Sequence, residues 1–146
     1  MAYERTIWEN GVTPINATNL NNIEDGIEEA MVEDTGWVEC TRYSGIGISD
    51  GATPEVRRIG NQVFVRGRVT ATWDGKSSTV PLITIPAGFR PPLQFYKNAQ
   101  CSSWYMAKLW FSASGRVGID HVTDYKNDVN ITTQIWIDLA NTWLID

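Results

Sequence analysis

Residues 54–72, PEVRRIGNQVFVRGRVTAT, read as β-structure. Val56 and Ile59 precede the turn pair Gly60-Asn61, and Val63, Val65, Val69 and Ala71 follow it at even spacings. Side chains alternate across a strand, so these four fall on one face and Arg66 and Arg68 on the other. β-branched residues pack well on a pleated surface, and a short Gly-containing turn between two such runs is a hairpin signal. The stretch predicts an antiparallel hairpin with one apolar face.

The pattern continues on both sides. Trp37-Val38-Glu39-Cys40 starts a strand after Asp34-Thr35-Gly36. Thr79 to Ile85 is a strand ended by Pro86, Trp104 to Ser112 is another, and Ser114-Gly115 turns the chain into Val117 and Ile119. Ile131 to Leu139 is strongly β-prone, and Thr142 to Ile145 closes the chain. Short strands with Gly, Pro and Asn punctuation predict an antiparallel β-sandwich or barrel over residues 35–146.

Residues 1–34 differ. Residues 1–15 read as an extended arm, turned at Asn10-Gly11 and kept from helix by Pro14. Residues 17–33 read as a helix with Asn16 as N-cap. Leu20, Ile23, Ile27 and Ala30 recur at spacings of three, four and three, a narrow seam of the kind that packs helix on helix. Gly26 in the interior and like charges at Glu24/Glu28, Asp25/Glu29 and Glu29/Glu33 weaken the helix, which therefore needs partners. Packing on the same chain is one possibility; self-association through the seam is the preferred one.

Charge divides the chain at the same place. The net charge is −5. Residues 1–34 hold eight acids against Arg5 alone, whereas the rest holds nine acids and eleven bases. Two parts with different partners are implied. No basic groove is suggested, which argues against nucleic acid. No run is long and apolar enough to span a membrane, and MAYERTIWENG has no signal-peptide core, so a soluble protein made in a cytoplasm is expected. Cys40 and Cys101 could pair, but two cysteines make no disulfide framework, and two buried, reduced thiols are the preferred reading.

Catalytic patterns are sparse. The one histidine, His121, follows Asp120 directly, and in a regular strand the two point to opposite faces. There is no nucleophile elbow and no phosphate loop before a helix. Cys40, Cys101 and His121 lack zinc spacing, and Asp120, Asp124 and Asp128 lack the alternation of a calcium loop. No metal, cofactor or enzymatic activity is expected.

Two stretches bear a resemblance. TPINATNLNNIEDGI, within residues 6–30, resembles the N-terminal segment of tail-fibre and baseplate proteins of phages and prophages of Gram-positive bacteria. TIPAGFRPP, residues 84–92, resembles a strand-and-turn of C-terminal heads of phage tail proteins. The plan is similar to that of the small receptor-binding proteins of lactococcal phages, whose β-barrel heads hold saccharide with His, Asp and Trp. The chain departs from them in showing no long neck between helix and head. The resemblance implies a homotrimer at the distal tail of a virion. Residues 1–34 would attach to other tail proteins, and the head would bind cell-wall polysaccharide or teichoic acid.

Candidate sugar contacts follow from loop chemistry. Residues 120–130 mix carboxylates, amides, an imidazole and a phenol; a solvated loop between two strands is the plain alternative, and the resemblance favours binding, so Asp120, His121, Asp124, Tyr125 and Asn127 are singled out. Trp104 and Trp73 are candidate platforms. Trp104, Met106, Lys108 and Trp110 share one strand face, and Tyr105, Ala107, Leu109 and Phe111 share the other, which reads as core. Trp110 is assigned with Leu20, Ile23, Ile27 and Ala30 to oligomer contacts. Arg57, Arg58, Arg66 and Arg68 could meet phosphate but read more simply as a solvated sheet face. A structural tail protein that never touches the host is the competing function, and the N-terminal stretch serves both equally.

Overall fold

The computed structural model describes residues 4–75, 79–102, 104–124 and 132–145, without the side chains of residues 74, 132 and 133. The chain falls into two compact units, Met1–Glu33 and Asp34–Asp146.

The first unit is organised by the asparagines of the TPINATNLNN stretch. Helix α1 spans Ala17–Ala30. Asn16 caps it, its side chain accepting from the Asn19 N–H at 2.9 Å and so satisfying one of the orphan donors of the first turn. The Asn19 amide donates to the Pro14 carbonyl at 2.8 Å. The Asn22 amide donates to the Glu4 carbonyl and the Thr6 hydroxyl at 2.9 and 2.7 Å, folding the arm back along the helix. The helix ends three residues before the expected 33, with Met31 already extended. Continuing it would stack Glu29 on Glu33 and add the β-branched Val32, and both are unfavourable. No helix residue is buried; Leu20 and Ile27 are exposed, Ile23 is half-buried and Ala30 is exposed.

The second unit is a sandwich-like head of antiparallel strands. In chain order these are β1 (Val38–Glu39), β2 (Thr41–Arg42), β3 (Gly47–Ile48), β4 (Glu55–Ile59), β5 (Gln62–Arg66) and β6 (Arg68–Asp74). There follow β7 (Val80–Thr84), β8 (Phe95–Gln100), β9 (Tyr105–Phe111), β10 (Arg116–Asp124), β11 (Thr132–Asp138) and β12 (Asn141–Leu144). They form sheets ordered β1-β4-β5-β12, β2-β7-β10-β9-β8 and β11-β6-β3. A bridge from Cys101 to Ile137 links the end of the second sheet to the third.

The 54–72 stretch folds as a hairpin at Gly60-Asn61, but its second half is two strands in two sheets. Gly67 makes the break. Its φ is +120°, and a Cβ there would lie 2.6 Å from the Pro54 Cα. Alternation survives the break, so Val63, Val65, Val69 and Ala71 all face the core, at 3% exposure or less. Leu82, Ile83, Ile85, Leu109, Phe111, Val117, Ile119, Ile135 and Ile137 complete it. Phe95 stacks on Phe111 at 4.8 Å between ring centres, and Trp143 tilts against both. Strands β2, β3 and β8 have no counterpart in the sequence reading, because they are either two residues long or, in FYKNAQ, weakly apolar.

The TIPAGFRPP stretch is a packed corner. The Phe89 N–H donates to the Pro86 carbonyl at 3.3 Å, and the Phe89 carbonyl accepts from the Trp143 indole at 3.0 Å. Arg90 Nε donates to the Ile85 carbonyl at 3.1 Å.

Candidate functional site

Strands β9 and β10 build the outward face of the five-stranded sheet. In β9, Ala107, Leu109 and Phe111 are buried at 1% or less, which sends Met106, Lys108 and Trp110 outward, as the alternation predicts. β10 is not regular. Ile119 pairs with Leu109 and His121 with Lys108, so Asp120 is an extra residue in a β-bulge. Residues directly opposed in an antiparallel pair share a face. His121 therefore stands outward with Lys108, and it is exposed. Asp120 also reaches Lys108, its carboxylate 3.2 Å from Nζ. The bulge thus overturns the expectation that Asp120 and His121 point to opposite faces. A signal was present: Val117 and Ile119 are two apart, but the next core residue, Val122, is three further on.

Around this pair the face alternates rings and cations. Lys108 Nζ lies 4.5 Å from the centre of the Tyr96 ring, which β8 presents opposite Trp110. Trp110 packs on Gly118, where a Cβ would come within 2.7 Å of the indole. Among the described residues its buried Nε1 meets no acceptor, so packing on Gly118 sets its place. The Arg116 guanidinium sits between the rings of Trp110 and Tyr43, 5.8 and 5.9 Å from their centres. Thr84, hydrogen-bonded to the Tyr43 hydroxyl, holds that phenol below its ordinary pKa, and Arg116 adds to the effect. Beyond Tyr43 a hollow of about 510 Å³ is lined by Cys40, Thr41, Arg42, Tyr43, Ser44 and Ile46, among others.

The other candidates are dispersed. Trp73 is 2% exposed and belongs to the core, so it offers no ring face to a ligand: as the last outward-to-inward alternate of β6 it continues the buried row of Val69 and Ala71. Trp104 is 60% exposed just before β9. Asp124 is half-buried at the end of β10, opposite Tyr105. Tyr125 and Asn127 lie outside the described residues. Trp110, assigned to oligomer contacts, shares the face of Asp120 and His121. Tyr43, Tyr96, Arg116 and Gly118 are additions that the sequence reading missed, since two of them lie on or beside unrecognised strands.

The other arginines are engaged within the head. Arg57 holds Asp34 through Nε at 2.9 Å and through a second, shorter contact, and this pairing keeps the Asp34 carboxyl at a pKa of about 2. Arg66 meets Glu55 at 2.7 Å and lies 3.9 Å from the Trp37 ring. Arg68 meets Asp50 at 2.8 Å and covers Trp136 at 4.6 Å. Cys40 and Cys101 are free and buried, and burial pushes both thiols up to about 12. At neutral pH neither is a nucleophile. Among the described residues no group of three or more His, Cys, Asp or Glu is placed to hold a metal.

The antiparallel head is similar in fold to phage receptor-binding domains. Two solved structures carry it. The head domain of lactococcal phage bIL170 aligns with a TM-score of 0.56 at 23% identity, over 75% of this chain and 96% of that one. The receptor-binding protein of Listeria phage PSA aligns with a TM-score of 0.61 at 17% identity, over 94% of this chain and 83% of that one. At these identities the likeness is one of fold. No protein-family profile matches the chain, and no characterised sequence does either.

Proposed function

We propose that the chain is a tail-tip receptor-binding protein of a tailed phage or prophage, which holds host cell-surface carbohydrate and performs no chemistry. The observation that carries this reading is the bulge-built face: Asp120, His121 and Lys108 beside the rings of Tyr96 and Trp110, on a head with the fold of phage receptor-binding domains. Sugars are held by fixed donors and acceptors on hydroxyls and by aromatic faces under their C–H patches, and a rigid sheet supplies both without ordering a loop. Absence of chemistry is supported by inert thiols and by an Asp120 that is tied to Lys108, where sugar hydrolysis uses a pair of carboxylates.

The first unit serves assembly in this reading. Ile7, Val12 and Ile15 are 70% or more exposed, and Leu20, Ile27 and Ala30 of the seam are exposed with Ile23 half-buried, which supports a homotrimer docked on other tail proteins. Ile23→Asp with Ile27→Asp is expected to weaken the oligomer in light scattering. A trimer unchanged by both would assign its cohesion to the head.

The receptor reading is tested by adsorbing the full chain to cell walls of Gram-positive hosts. Asp120→Ala with His121→Ala should abolish adsorption while leaving the urea midpoint in place. Wild-type chain that binds no wall and no glycan, but does bind tail proteins, would make it a structural component.

A further inference from the structure

We infer that Arg116, held between the rings of Tyr43 and Trp110, forms an anion-reading subsite at the β2 side of this face, and that the ligand carries a phosphate or carboxylate there. The inference rests on the carbohydrate reading above and extends it to the ligand's charge.

Among the described residues of the head, the partners of the other cations single Arg116 out. Arg57, Arg66 and Arg68 each meet a carboxylate, and Lys108 meets Asp120. Arg42 and Arg90 each donate to a backbone carbonyl. Arg116 is exposed, and among the described residues no carboxylate stands within ion-pair distance of it; its neighbours are two ring faces and a phenol hydroxyl.

That environment spends few of the guanidinium's donors: the Tyr43 hydroxyl takes one, and the rings are neutral partners, so the remaining N–H groups, which suit phosphate and carboxylate, are left to an incoming ligand. A pre-placed fork also loses less side-chain entropy on binding than a free one.

The subsite is the open sheet face at Arg116; the hollow of about 510 Å³ beyond Tyr43 is lined by Glu39 and not by Arg116 and lies outside it. At ~3.3 Å per strand residue, Arg116 and Asp120 are at most about 13 Å apart. Trp110, packed on Gly118, lies between them. The arrangement fits a short oligosaccharide whose hydroxyls meet Asp120 and His121 and whose charged group meets Arg116.

The test titrates the full chain at low salt, by calorimetry or amide NMR shifts, with methyl α-glucoside, glucose 1-phosphate, glucuronic acid and inorganic phosphate. Glucose 1-phosphate or glucuronic acid should bind about tenfold or more tighter than methyl α-glucoside, the size of one charge-assisted contact. The better of the two acids tells phosphate from carboxylate. Arg116→Gln should erase that preference, with Arg116→Lys between. Asp120→Asn should weaken all three sugars alike. A preference that survives Arg116→Gln, or a neutral sugar bound as tightly as the charged ones, overturns the inference and leaves the receptor reading standing. Binding of inorganic phosphate that depends on Arg116, without binding of methyl α-glucoside, would keep the anion subsite and remove the sugar reading. No binding of any probe at high millimolar concentration rejects both.

Discussion

The two units of this chain hold themselves together by different means. In residues 4–33 the cohesive contacts are side-chain amides of Asn16, Asn19 and Asn22 on backbone a few residues away or on the folded-back arm, and no helix residue is buried. In the head, side chains from nearly every strand interdigitate in one core, and pairings such as Thr142 with Phe64 join residues far apart in sequence. Local polar contacts leave a spelled-out motif. Long-range apolar contacts leave only a pattern, because any side chain of the right size and face will serve. The difference teaches why the N-terminal stretch is recognisable and yet says least about the receptor.

Core truncation should sharpen the contrast most. Trp73→Ala removes an indole that is 2% exposed, and it is expected to cost the head about 3–5 kcal/mol in urea denaturation. A loss under about 1 kcal/mol, the size of a surface change, would return Trp73 to the surface as a ligand platform. Next comes Gly118→Val. Its added atoms would meet the Val80 carbonyl at 2.6 Å and the Trp110 ring at 2.7 Å. Overpacking of this kind costs about 1–3 kcal/mol. The indole should leave its place, so tryptophan fluorescence should shift as stability falls. A silent substitution would mean that close packing does not set this face.

In the first unit the matching change is smaller. Asn16→Ala deletes the N-cap and should cost about 1 kcal/mol of helix stability, read as lost helical circular dichroism. The head's urea midpoint should not move. If it does, the two units share a folding transition and the contrast drawn above fails.

How much of this was legible in the sequence follows from the same contrast. Strands β4 to β7 and β9 to β12 announce themselves through apolar alternation and turn pairs, and Asn16 announces the cap. The break at Gly67 was hidden because alternation runs straight through it. The functional face was half visible. Asp120 and His121 stood out by residue type, but regular alternation set them on opposite sides, and only a one-residue slip in the core rhythm of Val117, Ile119 and Val122 betrayed the bulge. Tyr43, Tyr96 and Arg116 come to the face through sheet order, and sheet order is not written in any one segment. Trp73 misled because a ring beside Asp74-Gly75 resembles an exposed strand end, while strand parity keeps it with Ala71 in the core.

The smallest expected effect lies at the boundary of the head, where Asp34 joins it. Asp34 accepts from Arg57 Nε and from the Gly36 N–H, both at 2.9 Å. The Arg57 hydrogen bond is the larger cause of its lowered pKa, about 2 against an ordinary 3.8. A carboxyl whose folded pKa lies below its unfolded one stabilises the folded state above the unfolded value and ceases to do so as pH falls through the folded one. Asp34 should therefore stabilise the head fully above pH 4 and lose that contribution between about pH 4 and pH 2. Asp34→Asn keeps an oxygen for Gly36 and removes only the charge, so it isolates the ion pair. The urea midpoints of the two chains should differ modestly at pH 7, converge by pH 2, and differ less in high salt, as an exposed pair requires. A difference that persists at pH 2 would mean that the geometry of the Asp34 turn, and not its charge, fastens the start of the head.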